Sequence, residues 1–329
     1  MSDASPVRCW RSAAAAVAPL LLALAAPALA QGYPTKPIRL VVGFAPGGNV
    51  DITARSIGPA LTEALGQPVL IENRAGAGGS VGAEFVVRST GDGYTLLMGS
   101  SSLAVNVTLY AALGFDAIKD LAPVAPVSNV PIVLTVHPSV PAKNAKEYLA
   151  LAKQRQGRIT YASAGTGTSN HLTGELFRAV TGVDLIHVPY KGSGAALGDL
   201  MGGQVDSMFD QLTSSLPFIR SGKIRVLAVT SATRSSVLPE VPTLAEQGIT
   251  GVESSTWVGL FAPASTPREI ITRLNAATQK ITRSPGFREK LAALGADALE
   301  GSPEQFSQLF REEVVQWGRI VKASGTKAD

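Results

Sequence analysis

Four short segments of the sequence combine glycine with hydroxyl-bearing residues directly after an apolar run. They are residues 43–48, 99–102, 163–169 and 190–194. Glycine lets a backbone approach a ligand closely, and the first N–H groups of a following helix are unpaired and partly positive. Backbone groups and hydroxyls arranged in this way bind anions. One such turn alone would be an ordinary helix cap, but four together predict a binding site.

The candidate ligand contacts come from these turns and from positions beside them. They are Phe44, Pro46, Gly47, Gly48, Asp51, Ser100, Ser101, Ser163, Gly165, Thr166, Thr168, His171, Tyr190, Asp206 and Asp210. The three aspartates have two interpretations, since each would either contact the ligand or serve as a helix-dipole, capping or solvated residue. Valine at Gly48 is expected to abolish binding while leaving the fold intact, because it would keep the backbone away from the ligand.

The three histidines divide into one candidate contact and two structural residues. His171 follows a Thr/Ser turn, where it would either donate a hydrogen bond to a ligand carboxylate or satisfy loop carbonyls. His137 and His187 lie within apolar strand-like runs, and we predict structural roles for both.

A nucleophile motif is the main competing signal. Residues 78–82 read Gly-Gly-Ser-Val-Gly, which matches the G-x-S-x-G pattern of serine hydrolases. That chemistry needs a histidine late in the chain, and no histidine follows His187. A serine esterase using Ser80 is therefore the alternative rather than the main prediction, and we expect Ser80 to begin a helix. The sequence predicts no catalytic residue, no metal site and no cofactor.

Charge and cysteine content limit the classes of partner. The formal net charge is +4, and basic residues alternate with acidic ones without forming a cluster. Nucleic-acid binding normally needs a concentrated basic face, so no nucleic-acid partner is predicted. The single cysteine is Cys9, and the chain after it has neither a disulfide nor a thiol nucleophile.

The first thirty residues have the pattern of a secretory signal peptide. Arg8 and Arg11 precede an apolar stretch over residues 13–26, and Ala28-Leu29-Ala30 supplies the small residues at a cleavage site. A membrane anchor is the alternative, but the stretch is shorter than the ~20 apolar residues that a spanning helix needs. We predict cleavage after Ala30 and export to the periplasm.

The elements that would hold the turns in place alternate between strand and helix. Short apolar runs are followed by amphipathic stretches, as in βαβ units with largely parallel sheets. The length favours two lobes: residues 31–125 with 256–329, and residues 126–255. Residues 122–131 and 257–261 are the predicted crossings between them. Helix starts with a capping box are predicted at Thr266 and Ser302.

Eight short motifs, in order along the chain, give the sequence a family resemblance. They are Gly47-Gly48 with Asp51 and Arg55, residues 72–74 with 76–79, and residues 92–97, 187–192, 203–206, 227–230, 239–243 and 257–263. Along nearly its whole length after the signal peptide, the chain resembles the Bug family, the TctC-like solute receptors of tripartite tricarboxylate transporters. The sequence departs from the usual pattern in two places, at Thr90-Gly91 and at Asn49, and the second lies in the first candidate ligand turn.

The resemblance implies a fold class and a function. The fold would be α/β, of the type II periplasmic-binding-protein kind, with two lobes joined by two crossing segments. The function would be a periplasmic receptor, not an enzyme, that captures a small organic anion (a mono- or dicarboxylate or an amino acid). Loop backbone groups and hydroxyls would hold the carboxylate. The implied partner is a tripartite tricarboxylate permease, with a membrane signalling protein as the alternative, and a monomer is expected.

Overall fold

A computed structural model of the protein describes Met1 and residues 32–110 and 113–324. The predicted signal peptide and its cleavage site after Ala30 lie outside the described residues. Among the helices in the described part of the chain, none is both long and apolar enough to cross a lipid bilayer.

The first part of the described chain is a parallel α/β unit. Its elements are β1 (Ile38–Val42), α1 (Asn49–Leu65), β2 (Val69–Asn73), a short 3-10 turn (Ala77–Gly79), α2 (Ser80–Val87), β3 (Thr95–Ser100) and α3 (Ser102–Leu109). Strand β1 lies between β2 and β3 and runs parallel to both. Because neighbouring parallel strands end at the same edge of a sheet, the turns after β1 and β3 lie side by side.

A second α/β unit follows the long strand β4 (Leu121–Val136). Its elements are α4 (Ala145–Gln154), β5 (Ile159–Ser163), α5 (Ser169–Thr181), β6 (Leu185–Pro189), α6 (Ser193–Met201), β7 (Ser207–Gln211), α7 (Leu212–Arg220) and β8 (Arg225–Val229). Strand β5 lies between β6 and β7 and is parallel to both. The turns after these strands therefore share an edge as well.

Strand β4 joins the two units. Its first eleven residues pair with β9 (Ser255–Pro263), and residues 132–136 pair with β7 and β8. Shifts in register with β9 occur next to Pro123 and Pro126, where the prolines cannot donate ladder hydrogen bonds. The proline-rich segment predicted as a crossing is thus part of one continuous strand.

The molecule has two α/β lobes, as the sequence predicts. The strands follow one hydrogen-bonded path, β2-β1-β3-β9-β4-β7-β5-β6. We call the side with β2, β1, β3 and β9 lobe 1 and the side with β7, β5, β6 and β8 lobe 2, and β4 contributes to both. The predicted boundaries, at residues 125 and 256, stay a prediction.

The last part of the described chain packs on lobe 1. It contains α8 (Arg268–Thr282), α9 (Pro285–Ala293), β10 (Asp297–Ala298) and α10 (Pro303–Ser324). The apolar stripe of α10 is buried, with Phe306 and Phe310 edge-on to Trp257 of β9. The stripe thus forms part of the core of lobe 1, as its helical spacing predicts.

One of the two predicted capping boxes is present. The Ser302 N–H donates to Gln305 Oε1, and the Gln305 N–H donates to Ser302 Oγ. The prediction for Thr266 was wrong, because α8 starts at Arg268 with Pro267 as its cap and no side-chain hydrogen bond. Within the described residues, the buried Thr266 Oγ1 has no hydrogen-bond partner.

We therefore expect Ser302→Ala to lower the free energy of unfolding by about 1 kcal/mol, the usual cost of losing a helix cap. Thr266→Ala is the matched control and should change it by less than about 0.5 kcal/mol, since its hydroxyl makes no bond that could be lost. Urea unfolding of both variants measures the difference. Equal losses would show that the capping box contributes nothing specific.

Candidate ligand-binding cleft

Five helices begin at one cleft between the lobes. The described residues that line it are Phe44, Gly48, Asn49, Val50, Ser100, Ser102, Ala164, Thr168, Asn170, Ser193 and Gln211. They lie at the starts of α1, α3, α5, α6 and α7 or in the turns before these helices. None of these lining residues carries a charged side chain. Because helix N-termini are partly positive, the cleft favours an anion without using a buried cation.

Asn49 supplies an unsatisfied donor on the lobe 1 wall. The residue is only 3% exposed. Its Oδ1 accepts a hydrogen bond from Thr213 Oγ1 at 2.8 Å, whereas its buried Nδ2 has no partner among the described residues. A buried donor without an acceptor costs about 1–3 kcal/mol. Helix α1 also begins at Gly48 without a side-chain cap, so its first N–H groups lack intrahelical acceptors.

Two serines extend the donor set of this wall. Ser100 ends β3 and Ser102 begins α3, and both line the cleft. Both residues are buried, and neither hydroxyl has a hydrogen bond to another residue in the described ranges. Ser101, between them, is turned away, because its Oγ accepts the N–H of Trp257 at 3.2 Å. Lobe 1 thus presents three side chains with free hydrogen-bonding capacity.

The lobe 2 wall is organised around the fully buried Asp210. Its Oδ1 accepts from Asn170 Nδ2 at 2.8 Å and from Ser193 Oγ at 2.6 Å. Its Oδ2 accepts from Ser214 and Ser215 at 2.6 and 2.7 Å. Burial raises the pKa of the Asp210 carboxyl, and the hydrogen bonds from the three serines oppose that shift. Asp210 therefore holds two cleft residues, Asn170 and Ser193, in position through hydrogen bonds.

The lobes are in contact across the cleft. The Ala45 N–H donates to the Lys191 carbonyl at 3.1 Å, and Tyr110 Oη donates to the Thr166 carbonyl at 3.2 Å. The lobes also approach closely near Gly194, where an added Cβ would lie 2.4 Å from the Pro46 carbonyl oxygen. The structure is thus a closed form, in which the glycine-rich turns of opposite lobes touch.

Four of the predicted ligand contacts line the cleft: Phe44, Gly48, Ser100 and Thr168. Their role in binding stays a prediction. Seven others lie in or next to the predicted turns but do not line the cleft, and they are Pro46, Gly47, Ser101, Ser163, Gly165, Thr166 and Tyr190. Several of these hold the turns together, since the Gly165 N–H donates to Ser163 Oγ and Tyr190 Oη donates to Asp199.

The three aspartates and His171 do not line the cleft. Asp51 holds the first turn together, accepting from the Gly47 N–H and from Arg55 and Asn73. Although burial alone would raise it, these hydrogen bonds keep the pKa of Asp51 below its ordinary value. Asp206 accepts from the N–H and hydroxyl of Thr160, at the opposite end of β7 from the cleft.

His171 and His187 form a stacked pair beneath the 163–169 turn. Their ring centroids are 4.0 Å apart. The Gly167 N–H donates to His171 Nδ1, and His187 Nε2 is 2.7 Å from Ser163 Oγ. Burial, together with the positive charge of Arg178, lowers the pKa of His171 to about 4. His171 thus satisfies the loop as a neutral acceptor rather than as a donor to the ligand.

This arrangement predicts a pH-dependent stability. Between the unfolded pKa of about 6.5 and the folded value, only the unfolded chain binds the proton, so stability falls as the pH is lowered. We expect the free energy of unfolding to drop by roughly 2 kcal/mol between pH 6.5 and 4.5 from this residue. His171→Asn, whose Oδ1 can still accept from Gly167, should remove that part of the slope in urea titrations.

Glu175 is the acidic neighbour that could favour the protonated form of His171 and so oppose the fall in stability at low pH. Glu175 Oε1 is 3.9 Å from His171 Nε2, but it already accepts from Arg178 and Tyr161. His137→Asn controls for the loss of an imidazole far from this turn. The same pH slope in wild type and His171→Asn would contradict the assignment.

Ser80 begins α2, as predicted for a serine in a glycine-rich turn. Its Oγ accepts a hydrogen bond from Asn106 Nδ2 at 3.0 Å, and the residue is buried. Asn106 also donates to the Gly78 carbonyl, so the pair fixes the turn before α2. These contacts are those of a structural helix-start serine.

The candidate list missed seven residues that line the cleft: Asn49, Val50, Ser102, Ala164, Asn170, Ser193 and Gln211. Most of them lie inside the predicted turns or within the first helical turn after them, so their position was available from the sequence. Gln211 is different. It ends β7 and is followed directly by α7, without a glycine-rich turn that would mark the junction.

The family model described as "Tripartite tricarboxylate transporter family receptor" matches residues 53–326. Protein BugT of Bordetella pertussis is 39% identical over 306 residues, covering 92% of this chain and 94% of BugT. The solved structure of the periplasmic binding protein BugD is 36% identical, with a TM-score of 0.87, covering 90% of this chain and all of BugD.

Two further solved structures are described with bound carboxylates. Rpa4515 of R. palustris with adipate is 36% identical, with a TM-score of 0.88, over 90% of this chain and 99% of that one. MatC of Rhodopseudomonas palustris with bound malate is 34% identical, with a TM-score of 0.84, over 88% of this chain and all of MatC. The chain therefore belongs to the tripartite tricarboxylate transporter receptor family, the Bug or TctC-like solute-binding receptors with a two-lobe periplasmic-binding-protein fold.

Proposed function

We propose that the protein captures a small carboxylate in the cleft between its lobes and delivers it to a membrane permease of the tripartite tricarboxylate type. The observation that carries the proposal is the unsatisfied Asn49 Nδ2 at the meeting point of five helix N-termini. A carboxylate oxygen would accept from this donor and from the free N–H groups of α1. The adipate and malate bound by two relatives are ligands of this class.

The proposal also specifies where the protein acts and by which mechanism it binds its ligand. The chain is exported to the periplasm, with residues 1–30 removed, and acts as a monomer. Residues 31–125 with 256–329 and residues 126–255 move as the two lobes about the crossing segments. A ligand that contacts both walls binds the closed form better than the open form, and so shifts the equilibrium towards closure. The closed form is then the signal that the permease recognises.

Ligand binding is tested by calorimetry on the exported protein, purified from the periplasm. A panel of small mono- and dicarboxylates is compared with their methyl esters, which keep the shape but lose the negative charge. We expect at least one carboxylate to bind with its affinity reduced more than about 100-fold on esterification, since charge-assisted hydrogen bonds are lost. Equal affinity for an acid and its ester would contradict anion capture.

Export and delivery need separate measurements. Amino-terminal sequencing of the periplasmic protein should give Gln31 as the first residue, and light scattering should give the mass of one chain. Uptake of the identified carboxylate into vesicles containing the permease should require the receptor. If uptake were unchanged without the receptor, the transport part of the proposal would be contradicted, whereas the proposal of ligand binding would not be affected.

A further inference from the structure

The hydroxyl of Ser193 has a fixed hydrogen-bond polarity. Ser193 lines the cleft at the start of α6, and its Oγ donates to Asp210 Oδ1 at 2.6 Å. A hydroxyl has one proton, so once that proton is directed to Asp210 only lone pairs remain for a ligand. Asp210 is fully buried and accepts from four side chains, which keeps it in place. Towards the cleft, the Ser193 side chain is therefore an acceptor.

The other polar side chains of the lobe 2 wall have also used their donors within the protein. Asn170 Nδ2 donates to Asp210, and Gln211 Nε2 donates to Asn170 Oδ1 at 2.7 Å. Thr168 Oγ1 donates to the Gly165 carbonyl at 2.7 Å. The side chains of this wall consequently offer acceptors to a ligand, and its remaining donors are backbone N–H groups.

The lobe 1 wall contains one fixed donor and two serine hydroxyls that can also donate. Asn49 Nδ2 is a buried donor without an acceptor, and the hydroxyls of Ser100 and Ser102 have no hydrogen bond within the described ranges. A carboxylate matches this wall, because it only accepts. A ligand that contacts both walls thus meets groups that can donate on one side and a side-chain acceptor, Ser193, on the other.

We propose that the ligand is a hydroxycarboxylate, whose carboxylate lies against Asn49, Ser100 and Ser102 and whose hydroxyl donates to Ser193 Oγ. Ser193 is then a specificity-determining residue, and Asp210 positions its proton. This inference rests on the proposed function, since it specifies which carboxylates the same cleft prefers.

A neutral hydroxyl fits this position better than an ammonium group. None of the described residues that line the cleft is charged, and both oxygens of Asp210, the buried carboxylate that Ser193 contacts, are already engaged. A buried ammonium without a paired carboxylate is strongly disfavoured. Five helix N-termini directed at the cleft would also repel a cation. The donor facing Ser193 is therefore uncharged.

The test uses pairs of acids that differ by one hydroxyl: malate and succinate, lactate and propionate, and 3-hydroxybutyrate and butyrate. Their affinities are measured by calorimetry with the exported, full mature chain. In every pair that binds, we expect the hydroxy acid to bind at least about 10-fold more tightly, because the deoxy acid leaves a buried acceptor unpaired. Ser193→Ala should reduce the ratio to about 2 or less and leave the deoxy acid unaffected.

Ser214→Ala is the matched control, since Ser214 also donates to Asp210 but does not line the cleft. It should keep the preference for the hydroxy acid. Equal affinities within the pairs that bind, or a preference that survives Ser193→Ala, would overturn this inference and leave carboxylate capture intact. If aspartate bound more tightly than malate, the ligand group that faces Ser193 would not be an uncharged hydroxyl. If no acid binds, the proposed function fails together with the inference.

Discussion

The Asn49→Asp variant is expected to bind carboxylates at least about 1000-fold more weakly than the wild type. Aspartate keeps the oxygen that accepts from Thr213, so the contact between the lobes survives. It replaces the free Nδ2 donor with a second, negatively charged oxygen. Losing a hydrogen bond to a charged group costs about 1.5–3 kcal/mol, and a like charge at a closed interface adds several kcal/mol. An acidic residue in the first turn of a helix is favourable, so α1 should remain folded.

Calorimetry with the tightest-binding carboxylate measures this effect. Asn144→Asp is the matched control, because Asn144 caps α4 far from the cleft and the net charge changes equally. It should bind like the wild type, which separates the local charge from the overall one. An Asn49→Asp variant that binds within 10-fold of the wild type would show that the carboxylate does not lie against α1.

The position of the cleft could be predicted because it depends on strand ends. Each of the four glycine- and hydroxyl-rich turns contributes at least one lining residue, such as Gly48, Ser100, Thr168 and Ser193. Ligand sites in parallel α/β sheets lie beyond the carboxyl ends of the strands, and apolar runs mark those ends in the sequence. The two-lobe fold followed from the same alternation of elements and from the family resemblance.

The roles of individual polar residues could not be predicted, because they depend on direction and on partners distant in sequence. Asp206 and Asp210 are only four residues apart in sequence, yet Asp206 precedes β7 and Asp210 lies within it, near its cleft end. A strand of five residues separates such ends by roughly 15 Å. Asn170 and Ser193 share Asp210 only because β5, β6 and β7 bring their turns together.

A second glycine at the contact between the lobes, Gly194, has less room for a side chain than Gly48. Gly48 has φ −86°, and a Cβ there would make ordinary contacts of 3.6 Å with Ser193. A small side chain is therefore tolerated in the closed form. Gly194 has no such room, because its added Cβ would lie 2.4 Å from a backbone oxygen of the opposite lobe. The effect of valine at Gly48 stays a prediction, whereas Gly194 has no room even for one methyl group in the closed form.

Gly194→Ala is expected to weaken carboxylate binding at least about 100-fold by preventing closure, since contacts with the second wall are then lost. The methyl group would lie 2.4 Å from the Pro46 carbonyl oxygen, a backbone atom of the other lobe, so the two turns would have to move apart. The unliganded protein should be as stable as the wild type or up to about 1 kcal/mol more stable, because alanine is favoured over glycine within α6.

Gly198→Ala separates closure from helix propensity. Gly198 lies in the same helix, one turn later, and an added Cβ there meets no described atom within 4 Å. The control should gain the same stability and bind like the wild type. Small-angle X-ray scattering with ligand should show compaction for the wild type and Gly198→Ala but not for Gly194→Ala. If Gly194→Ala compacts and binds normally, the contact between the 43–48 and 190–194 turns is not required for capture, and closure must be limited by another part of the cleft.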